Sequence, residues 1–158
     1  MFDSIRFSIE PANLRDLATL QELEKICFDS DAWSMLDLLG VLTFPAMVRY
    51  KAVFGQEMIG FAAGEIRRPQ EAGWIITLGV HPGFRRQGVA RALLSSCEQH
   101  MPVPRLRLCV RLSNHPAIDL YQKAGYQQVE LWKQYYRNGE DAVVMEKEMP
   151  AKGTPLAD

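Results

Sequence analysis

Apolar and polar residues are arranged along this chain in distinct patterns, and each pattern predicts an element. Residues 5–10 (IRFSIE) alternate as a short strand would. Pro11-Ala12-Asn13 interrupts it, and Asn13 with Asp16 three residues on predicts a helix start. Leu14, Leu17, Leu20 and Ile26 then recur at roughly helical spacing as far as Cys27. Ser34 with Asp37 predicts a second helix to about Leu42. Residues 48–54 and 58–65 read as strands joined across Gly55-Gln56-Glu57 in a hairpin, with residues 67–73 a polar loop. Residues 74–80 (WIITLGV) are almost continuously apolar, as in a strand covered on both faces. The next helix buries Val89, Leu93, Leu94 and Cys97 and stops before Pro102. Residues 105–111 alternate, with Leu106, Leu108 and Val110 on one face. Pro116 suits the first turn of a further helix and Gly125 its end, with Ala117, Leu120, Tyr121 and Ala124 facing inward. Residues 126–132 and 142–148 are two last strands. The order predicts a mixed α/β sheet with helices on both faces, in one domain over residues 1–149 followed by a loose tail, 150–158.

Composition narrows what such a domain does. The chain has 158 residues, 47% hydrophobic and 23% charged, with a formal net charge of −1. That charge argues against a nucleic-acid coat, and it confines any anion site to a local patch. No apolar run is long enough to span a bilayer, and the first residues carry an early acid with no apolar core of the signal-peptide kind. Cys27, Cys97 and Cys109 show no CxxC spacing and read as reduced thiols of a cytoplasmic protein. His81, His100 and His115 have no ligand spacing either, so no metal is expected.

One stretch departs from a plain strand-to-helix connection: VHPGFRRQGVARALL, from Val80 to Leu94. A helix start offers N–H groups without intrahelical partners and the positive end of the helix dipole. Gly88 removes a side chain where a phosphate would approach, and Ala90 keeps the next turn narrow. Arg85 and Arg86 add donors suited to phosphate oxygens. The stretch therefore reads as a diphosphate cradle. It matches neither the Walker loop nor the GxGxxG dinucleotide fingerprint. A basic solvated turn is the blander reading of the same residues.

The same stretch resembles the V-x-P-x-x-R-x-x-G-x-[GA] signature of the GNAT superfamily of acetyl-coenzyme A-dependent N-acetyltransferases. A second block, LCVRLSNHPAIDLYQKAGY from Leu108 to Tyr126, resembles the superfamily's later motif. CFDSDAWS and YYRNGEDAVVM are similar to the RimI-like subgroup, which acetylates protein N-terminal α-amines. The resemblance implies a mixed, mostly antiparallel sheet, splayed between the strands at 74–80 and 105–111. The pantetheine arm of acetyl-coenzyme A would pair with the backbone of Leu78, Gly79 and Val80. The diphosphate would meet the N–H groups of Arg85, Arg86, Gln87, Gly88, Val89 and Ala90. Asn114 would hydrogen-bond the coenzyme arm, unless it is only a helix cap. Tyr121 would protonate the leaving thiolate, although it also fits the inward stripe of its helix as a core aromatic.

The chain departs from the subgroup at the base. The L-E-V-R stretch reads LCVR here, with Cys109 in place of the glutamate. A thiol cannot act as a carboxylate base. It could form an acetyl-cysteine, but the resemblance implies direct transfer. Glu65, at a strand end, is the replacement candidate, or else a solvated carboxylate. An α-amine, with a pKa near 7.7–8, costs only ~0.5 kcal/mol to deprotonate near pH 7.4; a lysine costs ~4 kcal/mol. A missing base is thus tolerable for an N-terminal acceptor. Trp33, Tyr135 and Tyr136 match subgroup positions near the acceptor groove, with a core or hinge role open for Trp33. Glu140 and Asp141 are either attractors of a cationic amine or loop carboxylates. The alternatives to a protein or peptide acceptor are a small-molecule amine and a non-catalytic acyl-coenzyme A sensor. The sequence fits a monomer or a homodimer.

Overall fold

The computed structural model describes residues 5–150. Asn13 and Asp16 form a reciprocal capping box over a 3₁₀ turn, Leu14–Asp16, which leads into α1, Leu17–Phe28. Ser34 and Asp37 do the same for α2, Met35–Thr43. The strands are β1 (Ser8–Pro11), β2 (Met47–Phe54), β3 (Glu57–Arg67), β4 (Ala72–Val80), β5 (Arg105–Arg111), β6 (Gln127–Trp132) and β7 (Ala142–Glu148). The later helices are α3, Val89–Gln99, and α4, His115–Lys123. Among the described residues the strands form one seven-stranded sheet in the order β1-β2-β3-β4-β5-β7-β6. The β1–β2, β2–β3, β5–β7 and β6–β7 pairs are antiparallel and β4–β5 is parallel.

Several boundaries differ from the sequence reading by one to three residues. β1 begins at Ser8 and runs to Pro11, because only Ser8–Pro11 meets β2, opposite Tyr50 to Val53. The hairpin turn is Gly55-Gln56 alone, since Glu57 already pairs with Phe54 and Gly55 takes a φ of 63°. The loop after β3 is also shorter: Ala72 and Gly73 pair with Arg105 and Leu106 and so belong to β4. Of the tail at 150–158, all but Pro150 lies outside the described residues.

Chain contacts define two compact units, Met1–Glu65 with Ile76–Met101, and Ile66–Ile75 with Pro102–Asp158. In the first, α1 and α2 pack Leu20, Leu23, Leu38, Val41 and Leu42 against Met58, Phe61 and Ala63 of β3. A Cβ on Gly60 would instead lie 2.9 Å from Leu93 and 3.2 Å from Val89 of α3. Gly60 and Phe61 are neighbours in a strand and point to opposite faces. Helices therefore cover both faces of β3, as the sequence predicts. Val89, Leu93 and Leu94 are each fully buried, contributing about 2 kcal/mol apiece.

In the second unit β5 pairs with β7 over its whole length, from Arg105 opposite Glu148 to Arg111 opposite Ala142. Leu106, Leu108 and Val110 are buried with Tyr121, Ala124 and Tyr126. Pro116 sits in the first turn of α4, and Gly125 leaves the helix with a φ of 100°. Leu120 and Ala117 are only half-buried, so the inward stripe of α4 narrows to Tyr121 and Ala124.

Candidate active site

The main-chain part of the site lies in the first unit. Within the second unit, Ala72 to Ile75 of β4 pair with Arg105 to Leu108 of β5. The Val80 carbonyl accepts from Arg85 Nε at 3.1 Å. Arg85 is thereby folded back toward the strand, and both it and Arg86 beside it are exposed. Between β4 and α3 the backbone passes twice through the left-handed region, at Arg86 (φ 62°) and Gly88 (φ 83°). The first bond entering α3 runs from Ala92 N–H to the Gly88 carbonyl at 3.1 Å. The N–H groups from Arg86 to Arg91 meet no acceptor among the described residues. Such a turn is a concave nest of donors at the positive end of an eleven-residue helix. A Cβ on Gly88 would meet no atom within 4 Å. The space over the nest is open, and glycine keeps it so.

Gly79 serves a different end. A Cβ there would lie 3.0 Å from the Phe28 ring and 3.3 Å from Cys27 Sγ, so glycine lets α1 close on β4. Beside it the structure places a residue that the sequence reading missed. Glu24 is 3% exposed, and its two carboxylate oxygens accept from Trp33 N–H at 3.3 Å and from Thr77 Oγ1 at 3.4 Å. Burial raises its pKa against those two bonds. The signal was present: Glu24 falls on the inward stripe Leu20, Leu23, Cys27. Trp33 itself is half-buried against the first unit's core.

The side-chain part lies in the second unit. Tyr121 is buried, and burial, with a smaller contribution from Tyr136, pushes its hydroxyl well above the ordinary phenol range. Its ring meets Tyr126 edge-on at 5.9 Å. Arg111 lies 4.0 Å over the Tyr136 ring and donates to Asn138 Oδ1 at 3.0 Å and Glu140 Oε1 at 3.1 Å. Glu140 also accepts from Ser113 N–H at 2.9 Å, and the Ser113 bonds are the main cause of its lowered pKa. Asp141 accepts from Gln134 N–H at 2.9 Å. Both acids are therefore engaged in holding the loop between β6 and β7. Tyr135 is exposed and touches the rings of Trp132 and Tyr136. Asn114 caps α4, its Oδ1 accepting from Ala117 N–H at 3.3 Å, which leaves its amide NH₂ for another partner.

Burial pushes the Cys109 thiol up to about 11, against the opposing charges of Arg67 and Arg107. It is a neutral thiol near pH 7, poorly suited to nucleophilic attack. Glu65 is half-buried near the end of β3, opposite Met47. Glu65, Trp33 and the residues from Leu78 to Ala90 belong to the first unit. Asn114, Tyr121, Tyr135 and Tyr136 belong to the second. Among the described residues no group of three His, Cys, Asp or Glu side chains could hold a metal ion, and no helix is long and apolar enough to cross a membrane.

Comparison with known proteins bears on the family and the fold. An uncharacterized N-acetyltransferase of Methanocaldococcus jannaschii is 30% identical over 146 residues, 90% of this chain and 92% of that one. The N-alpha-acetyltransferase of Sulfurisphaera tokodaii is 38% identical over 77 residues, and in that match the chain spans about half of the relative's length, 46%. The crystal structure of the ribosomal-protein-S18-alanine N-acetyltransferase from Escherichia coli shares the fold, with a TM-score of 0.81 at 24% identity over 96% of this chain and 100% of that chain. The profile of the acetyltransferase (GNAT) family matches residues 15–126, the span from α1 through the donor nest to Tyr126. The chain belongs to the acetyltransferase (GNAT) family.

Proposed function

We propose that this protein is an acetyl-coenzyme A-dependent N-acetyltransferase whose acceptor is the N-terminal α-amine of a protein or peptide. The observation that carries the reading is the donor nest from Arg86 to Arg91, open above Gly88. A diphosphate is the ligand such a row of N–H groups fits, and the backbone of Leu78 to Val80 would pair with the amide-bearing arm of the coenzyme. Asn114 would offer its free amide to that arm. The coenzyme supplies an acetyl group already activated as a thioester.

The amine attacks the carbonyl directly, and the thiolate needs a proton as it leaves. Tyr121 holds a phenol proton that its buried setting retains at neutral pH. It is the acid in this reading. With Cys109 a neutral thiol, no carboxylate stands at the position where the subgroup carries its base. An α-amine is the acceptor that least requires one, because a sizeable fraction is already unprotonated near pH 7.4. Glu65 remains the candidate base, and Trp33, Tyr135 and Tyr136 the aromatic lining for the first residues of the acceptor.

The test is release of free coenzyme A thiol from acetyl-coenzyme A, against one panel of N-terminal peptides and small amines. Peptides are expected to turn over, with kcat reduced about a hundredfold in Tyr121→Phe. Turnover of small amines alone would reassign the acceptor. Coenzyme binding without turnover on any amine would favour the sensor reading.

A further inference from the structure

We infer that Glu24 is a positioning residue: it ties the loop that carries Trp33 to strand β4, and through that tie it sets the affinity for the acceptor. The second half rests on the proposed function; the tie itself does not. All the residues involved lie in the first unit.

Glu24 occupies a crevice lined by Leu20, Leu23, Cys27, Phe28, Phe61 and Gly79, where a leucine would pack as well. A carboxyl in such a place is unfavourable unless its bonds matter. Its two oxygens each take one donor, and the donors come from different elements. Trp33 N–H belongs to the loop between α1 and α2; Thr77 Oγ1 belongs to β4, one residue before the strand edge assigned to the coenzyme. The loop is also held by the Trp33 side chain, which packs against the first unit's core. It leaves α1 through Asp29, a non-glycine residue at φ 48°, and makes one backbone turn, from Ala32 N–H to the Asp29 carbonyl at 3.1 Å. The Trp33 N–H bond ties its far end to α1. The titratable group beside the carboxyl is the Cys27 thiol on α1, on which Glu24 and Arg85 act in opposite directions, Glu24 raising its pKa and Arg85 lowering it.

Three variants separate the tie from simple packing. Glu24→Leu keeps the volume and removes both acceptors. Glu24→Gln keeps an oxygen for Trp33 N–H and gives Thr77 Oγ1 a donor in exchange. Thr77→Val removes the strand end of the tie alone. With an acceptor peptide and acetyl-coenzyme A, Glu24→Leu is expected to raise the peptide KM about tenfold while leaving the coenzyme KM within about twofold. Glu24→Gln is expected to restore near-normal values, and Thr77→Val to fall between. Amide hydrogen exchange at Trp33 provides a readout independent of turnover, and it should accelerate in Glu24→Leu and recover in Glu24→Gln.

A folded Glu24→Leu protein with unchanged peptide KM and unchanged Trp33 exchange would overturn the inference. Faster exchange with unchanged peptide KM would overturn its acceptor half. If the wild type acetylates no amine, the proposed function fails, and Trp33 exchange still decides the tie. If Glu24→Leu does not fold, the contrast between Thr77→Val and Glu24→Gln gives the same decision.

Discussion

Helices cover both faces of β3 in the first unit, whereas a face of the second unit is built over by side chains. There Trp74 stacks on Trp132 at 6.0 Å, with the Arg67 and Arg107 guanidinium groups 5.1 and 5.9 Å from its ring. Gln70 accepts from the Trp74 indole N–H, and Arg107 is paired in turn with Glu146 at 2.6 Å and Glu130 at 3.5 Å. The stems of the arginines do the covering while their charged ends stay hydrated and paired. The same division runs through the site. The first unit offers main-chain donors, whose position follows from backbone dihedrals. The second offers side chains, Tyr121 and Tyr136 above all, whose position depends on packing and on a bonded loop. A substitution that changes dihedrals should therefore act on coenzyme binding. One that loosens the loop should act on the acceptor.

The largest effect expected from this contrast is at Gly88. Valine there adds a branched side chain at a φ of 83° and fills the open space above the nest. Coenzyme affinity, measured by calorimetry, is expected to fall at least about a hundredfold. Stability should fall by only about 1–2 kcal/mol, because the added atoms meet nothing in the folded chain. A Gly88→Val protein that binds the coenzyme normally would break the main-chain account of the first unit.

Arg111→Met tests the other side. It removes the bonds to Asn138 and Glu140 and the contact over Tyr136 while keeping a long apolar stem. The acceptor KM is expected to rise about five- to tenfold, with the coenzyme dissociation constant unchanged. Equal losses in both would show that the loop and the nest are not independent.

The contrast also explains what was legible in the sequence. The nest could be read because glycine, two arginines and a following helix state a backbone requirement in residue types. The strand limits at Arg105–Arg111 and the two capping boxes were legible for the same reason, as local rules that tertiary packing did not override. Glu24 was not read because a single acid in an apolar stripe looks like a turn of the polar face until its partners are known. Those partners, Trp33 and Thr77, are 9 and 53 residues away. The engagement of Glu140 and Asp141 was missed likewise, since their donors come from Ser113, Arg111 and Gln134. The aromatic and arginine face depends on the register that sets Trp74 opposite Arg107, and that in turn opposite Glu146.

The smallest effect is expected at Cys109, and it sharpens the contrast by absence. The residue stands where the subgroup carries its glutamate, so a catalytic thiol would make the second unit the source of the base as well as the acid. A thiol pushed up to about 11 is ionised to only ~0.1% at pH 8, about a hundredth of the fraction of an unshifted one. Because the shift is upward, alkylation should be slow through neutral pH and climb as pH rises toward 11. Peptide mapping after iodoacetamide treatment reads this directly for Cys109, apart from Cys27 and Cys97. Cys109→Ser keeps the small polar shape and should change kcat by less than about twofold. A fall of a hundredfold, or a trapped acetyl-cysteine, would restore the covalent route and move the base into the second unit. With neither, the acceptor must lose its proton without help from β5, which is the behaviour expected of an α-amine and not of a lysine.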